Sequence, residues 1–285
     1  MAFMDKSEVR QRLQKVLQQC AKAPTWSPKE EVRQSIFWKS IRAELIGSLV
    51  LMVFSCSRDS IYGPVSYGCT YAILSYCFKS ISAHFNPVIT IAALLLRSIT
   101  PFRCISLVLA QTLGTLSGAS VCYYGLSNET ETGSAPISPV LNVSPAKGFG
   151  YEFFGTFVII LTMSSYLDCN DYVSESGDSN LLPLIFGLSV GLSSGMARQA
   201  TGGFLNPMRA FSLALFELNH WSNHYIYWIG PIFGCLLAVF TFDYTRPIIP
   251  NRDSNNRINF PTFNKNNKYE VEMQPETEIT LATLA

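Results

Sequence analysis

Charge is what this sequence has least of. Asp, Glu, Lys and Arg make up 14% of its 285 residues, against about 25% in ordinary globular domains. With 48% hydrophobic residues and a mean hydropathy of +0.21, that scarcity excludes an ordinary water-soluble domain and points to a lipid bilayer. The net charge is only +1, so no basic surface for nucleic acid is expected. The eight cysteines (Cys20, Cys56, Cys69, Cys77, Cys104, Cys122, Cys169, Cys235) are scattered and form no Cys-x-x-Cys pair. Structural zinc and disulfides are therefore not expected, and most of these thiols sit in apolar runs as small apolar residues. No nucleophile–base pair and no metal-ligand set stands out, which argues against an enzyme and against a cofactor. The chain does not open on a short apolar stretch with a small-residue cleavage site, so no removable signal peptide is expected.

What is present is a stretch that occurs twice. Ser82-Ala83-His84-Phe85-Asn86-Pro87-Val88 returns 120 residues later as Gly202-Gly203-Phe204-Leu205-Asn206-Pro207-Met208. Proline is favoured at the first position of a helix, where its missing N–H is no loss, and asparagine is a good N-cap. A lone Asn-Pro is usually a turn. Each of these, however, lies between apolar runs, so each reads as a loop turning into a short helix at membrane depth. Irregular backbone survives there only if protein buries it or it lines a wet cavity. Two interrupted segments at matching positions point to a permeation site.

Six spans are expected at about 38–57, 62–80, 103–125, 149–167, 181–198 and 224–245, each near the roughly 20 residues that cross a bilayer core. The half-helices cover about 87–96 and 207–217. Residues 1–37 form a polar tail in which Val9, Leu13, Val16, Leu17 and Cys20 share one face of a basic amphipathic helix. Residues 246–285 read as a disordered tail. Seventeen Lys and Arg fall on the side of both termini and four on the other (Arg58, Lys147, Arg198, Arg209). That bias places both termini in the cytosol, even though the 168–180 loop on that side is acidic. The loop after the third span is then outside. It carries two glycosylation acceptors, Asn128-Glu129-Thr130 and Asn142-Val143-Ser144.

The halves repeat. Glu44-Leu-Ile-Gly47 is echoed by Glu152-Phe-Phe-Gly155, and Ala110-Gln111-x-x-Gly114 by Gly230-Pro231-x-x-Gly234. Three spans per half is an odd number, so the halves take opposite topology and the half-helices meet near the midplane. Glu44 and Glu152 are expected to accept backbone N–H bonds from the irregular loops, which lipid cannot satisfy. The glycines at 47, 114, 155, 187, 191 and 234 suit close helix–helix contact.

Two Asn-Pro half-helices, Arg209 three residues after Asn206, the repeated Glu-x-x-Gly, and His220-Trp221…Tyr227-Trp228-Ile229-Gly230-Pro231 together resemble the aquaporins over about 38–245. Within that family, the stretch from Asn219 to Trp228 looks closest to the aquaporin-8-type and other water-selective members. The resemblance implies an all-α membrane fold of six helices and two re-entrant half-helices, with one pore per subunit of a homotetramer. It also implies that Asn86 and Asn206 are the paired amides of the pore centre and that Arg209 is the constriction arginine. His84 falls where a backbone carbonyl faces the pore. The remaining filter positions are Ser194 and Gly203, with either Ser66 or Tyr67 from the second span. Counting gives Ser66; aligning Tyr67-Gly68 with the family's Phe-Gly requires one deletion near residues 80–83 and is preferred.

The sequence departs from the family at Val88 and Met208, where alanine is usual, and bulk there is expected to shift the half-helices or narrow the lumen. Small Ser194 and Gly203 are expected to widen the filter enough for hydrogen peroxide or ammonia. Glycerol-conducting relatives place Asp after the filter arginine. Here Ala210 follows, and the Tyr227-Trp228 pair also favours water. The alternatives are a glycerol-permeable channel, a secondary transporter built from the same kind of repeat, and a structural or junctional membrane protein with a weak pore. The expected partners are water, small neutral solutes and lipid, in the plasma membrane.

Overall fold

Asn86 and Asn206 each end an irregular loop and start a helix. Both have β-region backbone (φ −151° and −145°), and each side-chain oxygen accepts the N–H of the residue two positions on. With proline at the first helical position, this is the arrangement that satisfies a helix N-terminus without water. The computed structural model describes residues 27–57, 59, 61–126, 137–172 and 181–245. The basic helix expected before residue 27, the Asn128 acceptor, most of the acidic loop and the 246–285 tail lie outside the described residues.

The elements are α1 (Pro28–Arg33), α2 (Ser35–Ser55), α3 (Tyr62–Phe78), the half-helix α4 (Pro87–Leu95), α5 (Pro101–Ser120) running into a π-helical stretch (Val121–Leu126), α6 (Pro145–Tyr172), α7 (Leu182–Thr201), the half-helix α8 (Pro207–Glu217) and α9 (Ile226–Thr245). No strand occurs among the described residues. The long helices overlie the expected spans, with shifted ends. Helix α6 continues to Tyr172, so the first residues assigned to the acidic loop are helical. Helix α2 begins at Ser35, because a separate short helix precedes it. In that helix Glu30 reaches back to the Ser27 N–H at 2.9 Å, while buried Glu31 accepts the Thr100 hydroxyl at 2.5 Å. Helix α1 is thereby tied to the N-cap residue of α5, Thr100.

Packing follows the repeat. Helix α2 lies along α5, α6 along α9, and α3 along α7, which joins the halves. Two of the expected glycines work by backbone contact. A methyl group on Gly114 would stand 2.2 Å from the Leu45 carbonyl oxygen, and one on Gly234 would stand 2.3 Å from that of Phe153. Gly47 and Gly155 differ from expectation. Each makes room for a loop side chain rather than a helix, Phe85 for the first and Leu205 for the second. Half-helix α4 packs against α5, α6 and α9, and half-helix α8 against α5 and α9, while many large apolar side chains (Phe54, Ile73, Leu109, Phe154, Leu192, Phe240) remain exposed outward. An apolar exterior of this kind is what lipid contact requires.

Candidate functional site

The two re-entrant loops close on each other. Nδ2 of Asn86 donates to the Leu205 carbonyl at 2.9 Å, and Nδ2 of Asn206 donates to the Phe85 carbonyl at 3.0 Å. Each amide therefore caps its own half-helix through oxygen and braces the opposite loop through nitrogen. Each bond uses one of the two N–H groups of its amide, and the Asn206 amide also lies against the Tyr67 hydroxyl.

Each loop is held by a buried carboxylate. Glu44 accepts the backbone N–H groups of His84 (2.8 Å) and Phe85 (2.7 Å), the Ser82 hydroxyl, and Nε2 of Gln111 (2.7 Å). Glu152 accepts those of Phe204 (3.3 Å) and Leu205 (2.8 Å), with the Thr201 hydroxyl. Phe85 and Leu205 both sit in the left-handed region, which costs a non-glycine residue energy. Glutamate secures the backbone of that residue, and the glycine three positions later receives its side chain. This is the physical content of Glu-x-x-Gly.

On one side of the asparagines stands Arg209, only 2% exposed. Nε bonds Ser55 Oγ at 3.0 Å, Nη2 the Ser55 carbonyl at 2.5 Å, and Nη1 the Gly203 carbonyl at 3.1 Å. The rings of Tyr67 and Phe204 lie 4.5 and 4.9 Å from its guanidinium carbon. Ser194 Oγ bonds the same Gly203 carbonyl at 2.8 Å. Tyr67, Ser194, Gly203 and Arg209 are thus brought together. Ser66 is not: its hydroxyl turns to the Phe54 carbonyl at 2.5 Å.

Several expectations need correction. Gly203 has no vacant volume around it. Its φ is +63°, and a methyl group there would stand 2.2 Å from the Ser194 carbonyl oxygen. The small residues Ser194 and Gly203 are consumed by the close approach of loop and helix, so they do not widen a lumen. Met208 does not crowd the centre either, because its thioether accepts the Thr112 hydroxyl of α5 at 3.2 Å. Val88 is fully buried among the apolar core residues. The His84 carbonyl is taken by the Tyr71 hydroxyl, and the His84 ring lies 3.2 Å from Thr90 Oγ1. Asn142 is exposed, and its side-chain nitrogen contacts the Gln199 carbonyl at 3.0 Å.

Sequence reasoning missed Ser55, Phe204, Thr90, Gln111 and Arg198. The Gln111 of the Ala-Gln-x-x-Gly echo was a usable signal, since a buried amide beside a buried carboxylate is worth pairing. Between Asn206 and Arg209 lies a cavity of about 10 Å³ lined by Ser48, Leu51, Met52, Ser55, Phe85 and Thr115. That volume is close to one water. The arrangement can order small neutral molecules.

Known proteins match this architecture. A family model described as Major intrinsic protein covers residues 31–242. Aquaporin-4 of Bos taurus is 29% identical over 222 residues, 73% of this chain and 67% of its own. Aquaporin-1 of Rattus norvegicus is 28% identical over 231 residues, 75% of this chain and 84% of its own. The neurogenic protein big brain of Drosophila melanogaster is 29% identical over 266 residues, 88% of this chain but 36% of its own. Among solved structures, the aquaglyceroporin from Plasmodium falciparum superimposes with a TM-score of 0.55 at 16% identity, over 73% of this chain and 96% of that one. That likeness speaks for the fold alone.

Proposed function

Because the chain belongs to the major intrinsic protein family, the aquaporins, whose members are membrane channels and not enzymes, we propose that it is a passive pore for water. The observation that carries this reading is the water-sized cavity held between a paired-amide centre and a buried arginine. In this reading a water at the centre accepts, through its oxygen, from the second N–H of Asn86 and of Asn206. Its hydrogens then point away along the pore, and a water so oriented cannot relay a proton. The positive ends of two half-helices face each other there, which disfavours any cation.

Arg209 adds a fixed charge in a low-dielectric setting, and its contact with Tyr67 keeps the passage narrow. Hydrogen peroxide and ammonia are neutral solutes of similar width and form the accompanying class. The close approach of Tyr67 to Arg209 is the feature that favours water over glycerol in this reading. In this reading the chain forms a homotetramer in the plasma membrane with both termini cytosolic, and Asn128 and Asn142 face outside.

Stopped-flow light scattering on proteoliposomes is the test. Fast osmotic shrinkage with a low activation energy, together with slow glycerol uptake, is expected. Shrinkage no faster than that of empty liposomes, for protein that remains folded, defeats the water-pore reading.

A further inference from the structure

A second arginine lies beside the first and holds the same two segments. Arg198, in the last turn of α7, is 7% exposed. Its Nη1 bonds the Gly202 carbonyl at 3.3 Å. Its Nη2 bonds the Asp59 carbonyl at 2.9 Å and, more tightly, that of Ser57. Arg209 takes the carbonyls of Gly203 and Ser55. Two adjacent carbonyls of a left-handed double-glycine turn (φ +90° and +63°) thus go to two different guanidiniums. Arg209 reaches on to the last residue of α2, Ser55, and Arg198 to the chain that leaves it, at Ser57 and Asp59.

A charge is not buried this way without cause. Arg198 forms no close ion pair among the described residues and its bonds run to neutral carbonyls; the nearby Arg209 charge opposes its own, and the exposed Asp59 carboxylate offsets part of that. Replacing it with an apolar side chain would remove the desolvation cost. The chain also makes room for it. A methyl group on Gly63 would stand 2.8 Å from Arg198 Nη2 and 3.0 Å from the Ser57 carbonyl oxygen. Arg198 sits at a helix C-terminus, where the dipole favours a cation, but Gly202 already caps that end through its own N–H. What the fork adds is a link between turn and loop. A planar fork can hold several carbonyls at fixed angles, which an ammonium cannot.

From this geometry we infer that Arg198 is a positioning residue for selectivity. It fixes the Gly202-Gly203 turn and the segment after Ser55, and so sets where the Arg209 guanidinium stands against Tyr67. Arg209 has all three of its bonds on Gly203 and on Ser55, two residues before the Ser57 that Arg198 holds, so freedom in either place is freedom of the filter. This inference rests on the water-pore reading.

The test compares glycerol and water permeability of proteoliposomes carrying the wild-type chain, Arg198→Met, Arg198→Lys and Gly63→Ala. A glycerol-to-water ratio raised roughly tenfold in Arg198→Met is expected, the scale of losing one charged hydrogen bond from the barrier. Arg198→Lys keeps the charge but not the fork, and its ratio should stay raised. Gly63→Ala pushes the guanidinium off the loop without deleting it, and should raise the ratio by a smaller factor. It keeps the question answerable if Arg198→Met does not fold. A merely structural arginine would lower the amount of folded protein and leave the ratio alone. A water-conducting wild type with unchanged ratios in the folded variants overturns the inference, as does full restoration by lysine. A wild type that conducts no water overturns the channel reading and this inference with it.

Discussion

Phe85 and Leu205 take the same left-handed backbone, at φ 49° and 52°, and each gives its carbonyl to the asparagine of the other motif. Both asparagine side chains, both glutamates and both Glu-x-x-Gly glycines act on these two residues. They are the points at which the two halves are joined.

Removing either carboxylate should therefore be costly. Glu152→Ala leaves the N–H groups of Phe204 and Leu205 without partners in an apolar interior. A loss of about 3 kcal/mol or more follows from two stranded donors. Thermal unfolding in detergent should show a clear drop in Tm, and a smaller one for Glu152→Gln, which keeps one acceptor. An unchanged Tm for Glu152→Ala would remove the scaffold role.

Gly47→Ala and Gly114→Ala should behave differently in combination. A methyl group at Gly47 meets the Phe85 ring at 2.1 Å, whereas one at Gly114 meets the Leu45 backbone. Overpacking of this kind costs about 1–3 kcal/mol. A double-mutant cycle of Gly47→Ala with Phe85→Ala should show the pair less destabilised than the sum of its parts. Strict additivity there would mean that Gly47 does not seat Phe85.

Arg209→Ala should admit glycerol and monovalent cations, since charge and the Tyr67 contact go together. Arg209→Lys should still exclude cations yet leak glycerol, because lysine cannot span Ser55 and Gly203 as a fork does. Ion flux and glycerol uptake, followed on the same vesicles, separate the two losses. Equal behaviour of the two variants would contradict this division of labour.

Met208→Ala should lower stability by about 2–5 kcal/mol and leave water permeability per folded channel essentially unchanged. The methionine packs toward Thr112 of α5. A large rise in permeability would place its side chain in the water path instead.

The sequence showed most of the frame. Asn-Pro after a polar loop announces a capped half-helix, and charge bias with apolar length brackets the long helices. Matched glutamates in apolar runs announced themselves as acceptors. What it hid was the work of small and basic residues at the filter. Gly203 reads as space in one dimension, and only the approach of Ser194 shows that the space is filled. Arg198 reads as one more positive charge in a loop count. Its partners, Ser57 and Asp59, lie about 140 residues away, and no local pattern links them. Met208 reads as bulk at the centre until its rotamer toward Thr112 is seen.

The exchange of hydrogen bonds between Asn86 and Leu205, and between Asn206 and Phe85, has a bearing on the order in which the molecule is made. The first half of the chain leaves the ribosome with an amide that has no acceptor and a strained carbonyl that has no donor. Neither is satisfied until a segment about 120 residues later arrives. A nascent chain stopped after α5 is thus an unfinished object with a polar seam turned toward lipid. Its completion is a test, applied late in synthesis, of whether the second half has inserted the right way up.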